Sequence, residues 1–358
     1  MPEQTKIIRT ITQAIRRHLG LPSRQIRIEP LLGDASNRTY YRATLIQRDE
    51  KKNYVVMKLA DPEAFKASEE KVTTPATKIQ ELPYLNVQRH LARCGVAVPE
   101  IYFYDPEAGI LLLQDLGDRL FQDVVRGSDR AVQCRKYQLA IDELLKIQIR
   151  GSRLSDGNCI AFGRAFDVPL LMWEFEHFID YGIEQANRRP ITAKDRNELK
   201  TLFLPIAETL AIEPRVLTHR DYHSRNLMIH QDRVWVLDFQ DALMGPCVYD
   251  LASLLRDSYM KLEEDLIDDL VAYYLEKKES MDRIKLNRPA FRRLFDLMSI
   301  QRNLKAAGRF VYIHLVKKND RFLQYIPQTL GYVKRNLQKY PELKRVAALL
   351  NRYGCDLA

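Results

Sequence analysis

The stretch LTHRDYHSRNLMIHQDRVWVLDFQD, residues 217–241, constrains this chain more than any other part of it. A polar loop, the apolar triplet LMI, the polar turn HQDR and the apolar run VWVLDF read as a loop followed by a short β-hairpin. Asp221 and Asn226 lie five apart in the loop, and Asp238 is expected at the end of the second strand. The hairpin sets the distance between loop and strand end, so side chains from both can reach one ligand. A carboxylate and an amide oxygen are hard donors of the kind Mg²⁺ accepts beside water and nucleotide phosphates, which makes Asn226 and Asp238 the expected metal ligands. Asp221 beside them suits the orientation and deprotonation of an attacking hydroxyl. His219 and His223 are four apart but sit in a loop without a metalloprotease Glu, which argues against zinc. His219 is expected to brace the loop by a hydrogen bond.

The rest of the chain supplies a frame for that segment. With 358 residues, 46% apolar and 29% charged, the chain is long enough for about two domains and apolar enough to bury a core. Residues 6–19 place Ile7, Ile8, Ile11, Ile15 and Leu19 at helical spacing, a pattern that favours packing on a core over a membrane-surface role. IRIEPLLGDASNRTYYRATLI reads as strand, polar turn and strand, and YVVMKLA (54–60) as a third strand. A helix is expected over residues 79–92, then two more strands in IYFYD and GILLLQDLGD around a turn at residues 106–109. Beyond Gly117 the pattern turns helical, as in residues 137–148, 170–185 and most of 248–340. The expected organisation is a small β-rich unit over residues 1–113, a connector at 114–118 and a mainly helical unit over 119–358.

No run approaches the ~18 apolar residues of a membrane-spanning helix, and the N-terminus lacks a signal peptide's apolar block, so a cytoplasmic protein without a membrane span is expected. Cys94, Cys134, Cys159, Cys247 and Cys355 are scattered without CxxC spacing and read as reduced thiols. Net charge is +9, but residues 283–352 carry +14 and the remainder −5. That basic excess suits a solvated helical surface or an anionic small molecule; no nucleic-acid partner is expected, and the sequence leaves oligomeric state open.

Asp221 and Asn226 match the H-R-D-x-x-x-x-N catalytic loop of kinases, and Asp238, in DFQ, stands where kinases carry the DFG aspartate. The resemblance implies an α+β, bilobal protein-kinase-like fold with a small β-rich N-lobe and a larger, mainly helical C-lobe. Lys58 in YVVMKLA matches the strand lysine that pairs with ATP phosphates. LLGDASNRTYYR corresponds to the nucleotide-covering loop with one glycine in place of three, so Ser36 and Asn37, with the backbone N–H groups of residues 34–37 and Arg38 nearby, are the expected phosphate contacts. Glu81 is the expected partner of Lys58, with Glu69 and Glu70 as rivals, and the backbones of Gln114 and Leu116 are expected to meet adenine. DFQDALMGPCVYDLASLL runs almost directly into a helix, leaving no room for a protein kinase's activation segment, so the acceptor is small.

HRDYHSRNLMI, DFQDALMGPCVYDLASLLRD and IQRNLKAAGRF together resemble the aminoglycoside phosphotransferase and choline kinase superfamily, and within it the bacterial anomeric kinases of N-acetylmuramate and N-acetylglucosamine that act in cell-wall recycling. The resemblance implies an enzyme that uses ATP and Mg²⁺, with Asp221 as base, Asn226 and Asp238 as Mg²⁺ ligands, Lys58 on ATP and a small amino sugar as partner. Kinases of aminoglycosides or choline-like alcohols are the same-class alternative, and a non-catalytic nucleotide-binding pseudokinase is the alternative of another class. Asp241 and Asp250 are expected to fix the segment after Asp238, with Asp250 as an N-cap rather than a substrate contact. On the acceptor side, Arg302 and Lys305 are candidates for a sugar carboxylate, and Glu174 and His177 for hydroxyls.

Overall fold

The computed structural model describes residues 3–20, 25–31, 38–47, 50–59, 81–155, 157–186 and 190–355. The chain divides into two compact units, Met1–Ser68 with Val98–Asp118, and Glu69–Ala97 with Arg119–Ala358.

The first unit is helix α1 (Glu3–Leu19) on a five-stranded antiparallel sheet of order β1-β2-β3-β5-β4. The strands are β1 (Ile26–Leu31), β2 (Thr39–Gln47), β3 (Glu50–Lys58), β4 (Ile101–Asp105) and β5 (Ile110–Gln114). Alternation puts Tyr41, Ala43 and Leu45 of β2, Tyr54 and Val56 of β3, and Ile110 and Leu112 of β5 into one core, which Ile11, Ala14 and Ile15 of α1 cover. The apolar stripe of α1 is thus spent on the sheet, as the packing reading expected. The connector is pinned from β2: the Arg42 guanidinium grips Asp115 at 2.6 and 3.1 Å and Asp118 at 2.8 Å. Because such forked, charge-assisted pairs are worth about 1.5–3 kcal/mol, Arg42→Met is expected to speed amide exchange at residues 115–118 and to lower stability by about 1–2 kcal/mol.

The helix expected within the first 113 residues forms as α2 (Pro83–Arg93), but it groups with the second unit. Its buried face explains why: Asn86 donates to Asn158 O at 2.8 Å and accepts from Ile160 N at 2.8 Å, His90 bonds Gly151 O at 2.9 Å, and Tyr84 lies 4.7 Å from the Phe239 ring. The second unit continues with α3 (Phe121–Val125), α4 (Arg130–Leu145), α5 (Val168–His177) and α6 (Ala193–Ala211). Side chains of Asp129, Asp167 and Thr192 cap α4, α5 and α6 by accepting from backbone N–H groups three residues on. Helices α4 and α5 run on into π-helical turns at Lys146–Gly151 and Phe178–Gln185.

Two small sheets follow. Strand β6 (Arg215–Thr218) pairs with β9 (Leu243–Pro246), and β7 (Leu227–His230) pairs with β8 (Arg233–Val236). The β7–β8 turn is only Gln231 and Asp232, both at positive φ, because a two-residue connection of that hand matches the strand twist. Strand β8 ends at Val236, so Asp238 lies two residues beyond it rather than at its end, at φ 59°. Helices α7 (Val248–Leu255), α8 (Glu264–Asp282), α9 (Arg288–Lys317), α10 (Ile326–Lys339) and α11 (Lys344–Arg352) complete the unit. Helix α9 approaches the turn at Phe178 so closely that a Cβ on Gly308 would stand 2.8 Å from Phe178 Cα. Among the described residues no helix is long and apolar enough to cross a membrane.

Candidate active site

The loop between β6 and β7 takes its shape from buried acids elsewhere in the chain. Asp250, fully buried in the first turn of α7, accepts from His219 N at 2.7 Å and Arg220 N at 2.9 Å. It does not cap its own helix, whose N-cap position is Cys247; both of its oxygens are taken by the loop. Asp257 accepts from Ser224 N at 2.9 Å in the same manner. Buried backbone donors must be paired, and here two carboxylates from the α7 region do it while Arg220 adopts a left-handed φ of 82°. His219 braces the loop as expected: its Nε2 meets Leu237 O at 2.8 Å, and its Nδ1 accepts from Asp221 N at 3.2 Å.

Burial pushes the Asp250 carboxyl up to about 6 against the pull of His219 and the two backbone N–H groups. Between roughly pH 4 and 6 the folded chain therefore holds a proton there that the unfolded chain has lost, so this group's contribution to stability falls as pH rises through that window. The advantage of wild type over Asp250→Asn in urea midpoint is therefore expected to narrow as pH rises across the window.

These supports gather the expected catalytic groups. The Asn226 Nδ2 donates to Asp221 O at 2.9 Å and approaches His223 Nε2 at 3.4 Å, which leaves its carbonyl Oδ1 as the atom for a cation. A backbone bond crosses the hairpin base, Leu237 N to Asn226 O at 2.9 Å, and ties the residue before Asp238 to Asn226. Gln240 then donates to both Asp238 at 3.0 Å and Asp241 at 2.9 Å, so Asp241 is fixed with its segment. An amide oxygen and a carboxylate suit a hard cation that completes its shell with water and phosphate.

Burial alone would raise Asp221, but the charges of Lys305, Arg220 and Arg302 override it and hold the carboxyl well below the usual range. Lys305 does not reach out to an acceptor: its Nζ lies 3.3 Å from Glu174 Oε1 and 3.4 Å from Tyr249 Oη. Glu174, fully buried, also receives Arg220 at 3.2 Å and Gln301 at 2.8 Å, so it serves as their counterion rather than as a hydroxyl ligand. His177, pushed down to about 3 by burial and by Arg309 and Lys305, is neutral and packs among Trp173, Tyr181 and Tyr312. Arg302 is buried on α9 next to this network.

In the first unit, Lys58 ends β3 opposite Ile110, with its Nζ over Gly109, where a Cβ would come within 3.1 Å; Gly109 also needs its φ of 59°. Gln114 N donates to Glu100 O at 2.9 Å, so its N–H is not open to a base, and Leu116 is buried. Glu81 does not stand as an open carboxylate for the strand lysine: Arg89 and the Asn86 Nδ2, at 3.0 Å, hold it. Ser36 and Asn37, with the rest of the covering loop from residue 32 to 37, lie outside the described residues, as do Glu69 and Glu70.

Residues 27–286 match the model of the phosphotransferase enzyme family. The chain belongs to that family. This phosphotransferase is 31% identical over 331 residues to the N-acetylmuramate/N-acetylglucosamine kinase of Neisseria meningitidis, covering 92% of this chain and 91% of the relative. It is likewise 31% identical over 271 residues to the kinase of that name from Pseudomonas aeruginosa, covering 75% and 77%. In fold it is similar to a choline kinase from Cryptosporidium parvum, at TM-score 0.61 and 13% identity over 96% of this chain and 98% of that one. Choline kinase LicA from Streptococcus pneumoniae gives TM-score 0.59 and 16% identity, covering 95% and 99%. The family is enzymatic and its kinases use ATP.

Several residues of the phosphotransferase's site went unread in its sequence. Asp257, Gln240 and the supporting role of Asp250 carry no local signature. Arg225 is another: its guanidinium sits 3.9 Å from the Tyr259 ring centre, donates to Tyr325 Oη at 2.6 Å and to Gln122 Oε1 at 2.9 Å, and so anchors the loop between Asp221 and Asn226. Its place inside HSRNL next to the metal-ligand candidate was the available hint.

Proposed function

We propose that the chain is a sugar 1-kinase, transferring the γ-phosphoryl group of ATP to the anomeric hydroxyl of N-acetylmuramate, N-acetylglucosamine or both, as a cytoplasmic step of cell-wall recycling. The observation that carries the reading is the ionised Asp221 carboxylate beside Asn226 and Asp238, in a chain collinear with kinases named for those sugars. Asp221 orients the hydroxyl and accepts its proton. A carboxylate held this far below its usual range is a weak base, which suits a loose phosphoryl-transfer transition state in which the proton leaves late. The charges of Lys305, Arg220 and Arg302 keep that carboxylate ionised. Asn226 Oδ1 and Asp238 are the residues that would hold Mg²⁺, whose chemistry when bound is to offset phosphate charge. Lys58 contributes a cation for the ATP phosphates, and Leu116 lines the base.

The deciding experiment incubates the protein with Mg-ATP and a panel of N-acetylated amino sugars, choline and aminoglycosides, then locates the phosphate by ³¹P and ¹H NMR. A sugar 1-phosphate is the expected product. Phosphorylation of choline or an aminoglycoside alone, or of nothing, removes the reading.

A further inference from the structure

Two of the acceptor candidates read from the sequence are consumed internally, Lys305 by Glu174 and Glu174 by three partners. Arg302 is different. It is 94% buried, since only 6% of it is exposed, yet its Nε finds no hydrogen-bond partner and none of its nitrogens makes an ion pair among the described residues. It lies on α9 next to Gln301 and one turn before Lys305, both of which hold Glu174, the buried partner of Arg220 in the catalytic loop.

His223, three residues on from Arg220 in that loop, presents a second orphan. Asn226 Nδ2 points at its Nε2, which must then be the acceptor nitrogen, and this places the ring proton on Nδ1. The Nδ1 is buried and has no partner. Two buried N–H donors, one of them cationic, left unsatisfied beside the catalytic carboxylate cost free energy that a ligand with paired anionic oxygens recovers. A planar carboxylate is such a ligand, and a guanidinium is the side chain that best matches its geometry.

We infer that Arg302 and His223 form a carboxylate subsite that receives the lactyl carboxylate of a muramic-acid-type acceptor and so gives the enzyme a preference for the sugar acid over the neutral sugar. The inference rests on the sugar-kinase reading above. A sugar whose carboxylate is seated there presents its ring toward Asp221, which links acceptor recognition to the attacking oxygen. The neutral N-acetylglucosamine leaves both donors without that partner, and a site built around a charged hydrogen bond discriminates strongly against a ligand lacking it.

The test compares kcat/KM for N-acetylmuramate, its methyl ester and N-acetylglucosamine in wild type, Arg302→Met and Arg302→Lys. Wild type is expected to favour the acid over the ester by about 30-fold or more, as one charge-assisted hydrogen-bond pair implies. Arg302→Met is expected to collapse that ratio to within about threefold, and Arg302→Lys to retain part of it. A wild-type enzyme that handles acid and ester alike overturns the inference even if the variants fail to fold. So does an Arg302→Met enzyme that loses acid and ester activity equally, since that result assigns Arg302 to phosphate or to the loop. Failure of the underlying reading is distinguishable, because then no amino sugar is phosphorylated by wild type at all.

Discussion

Asp221→Asn is expected to lower kcat by about 10²-fold or more while leaving the affinity for Mg-ATP, read by titration calorimetry, within about threefold of wild type. The substitution is nearly isosteric. The backbone bonds that shape the loop, from His219 and Arg220 to Asp250 and from Ser224 to Asp257, do not use the Asp221 side chain. What disappears is the acceptor for the hydroxyl proton and the negative charge that offsets Lys305, Arg220 and Arg302. Because those cations hold Asp221 below the usual carboxylate range, an acid limb of kcat/KM with a midpoint between pH 5 and 7 cannot arise from Asp221. Near-normal turnover in the variant would remove Asp221 from the chemistry.

Glu174→Ala is expected to cost about 3–5 kcal/mol of stability in urea unfolding, because it strands Arg220 and Lys305 as buried cations. Burial would raise Glu174, yet Lys305, Arg220 and the Gln301 amide together hold it below its usual value. Its contribution is therefore present above the unfolded carboxyl's pKa of about 4.3 and is lost as pH falls through the lower, folded value. The double replacement of Glu174 and Lys305 by Gln and Met is expected to recover part of the loss, since a buried pair removed whole costs less than one partner removed. If the single and double variants lose the same stability, the pair is not coupled and the network account fails.

The contrast between those two positions says where sequence reasoning reached its limit. Asp221, Asn226 and Asp238 are legible because the eighteen residues 221–238 contain the whole device: a loop, a two-residue turn and the strands that fix their spacing. Lys58 was legible for a similar reason, lying on a strand whose alternation is local. Glu174, Lys305 and Asp250 carried equally visible side chains, but their partners are far along the chain, and spacing does not say which way a buried carboxylate turns. Spacing alone therefore suggests a cap for Asp250 and acceptor contacts for Glu174 and Lys305. Position suggests Glu81 for Lys58, whereas Arg89 and Asn86 of the helix that follows it hold its carboxylate. Helix α2 was grouped with the strands that flank it, whereas its buried face belongs to the helical unit.

The amino-acid sequence by itself determined the order of elements, the kinase-like division into a sheet-rich and a helical unit, and the catalytic loop with its hairpin, because hydrophobic period and turn chemistry act over a few residues. Only the tertiary structure decided which charges cancel one another and which remain unanswered. Desolvation favours a partner for each buried charge from wherever the fold supplies one, and the buried Arg302 Nε and His223 Nδ1 are among the atoms to which, among the described residues, it supplies none.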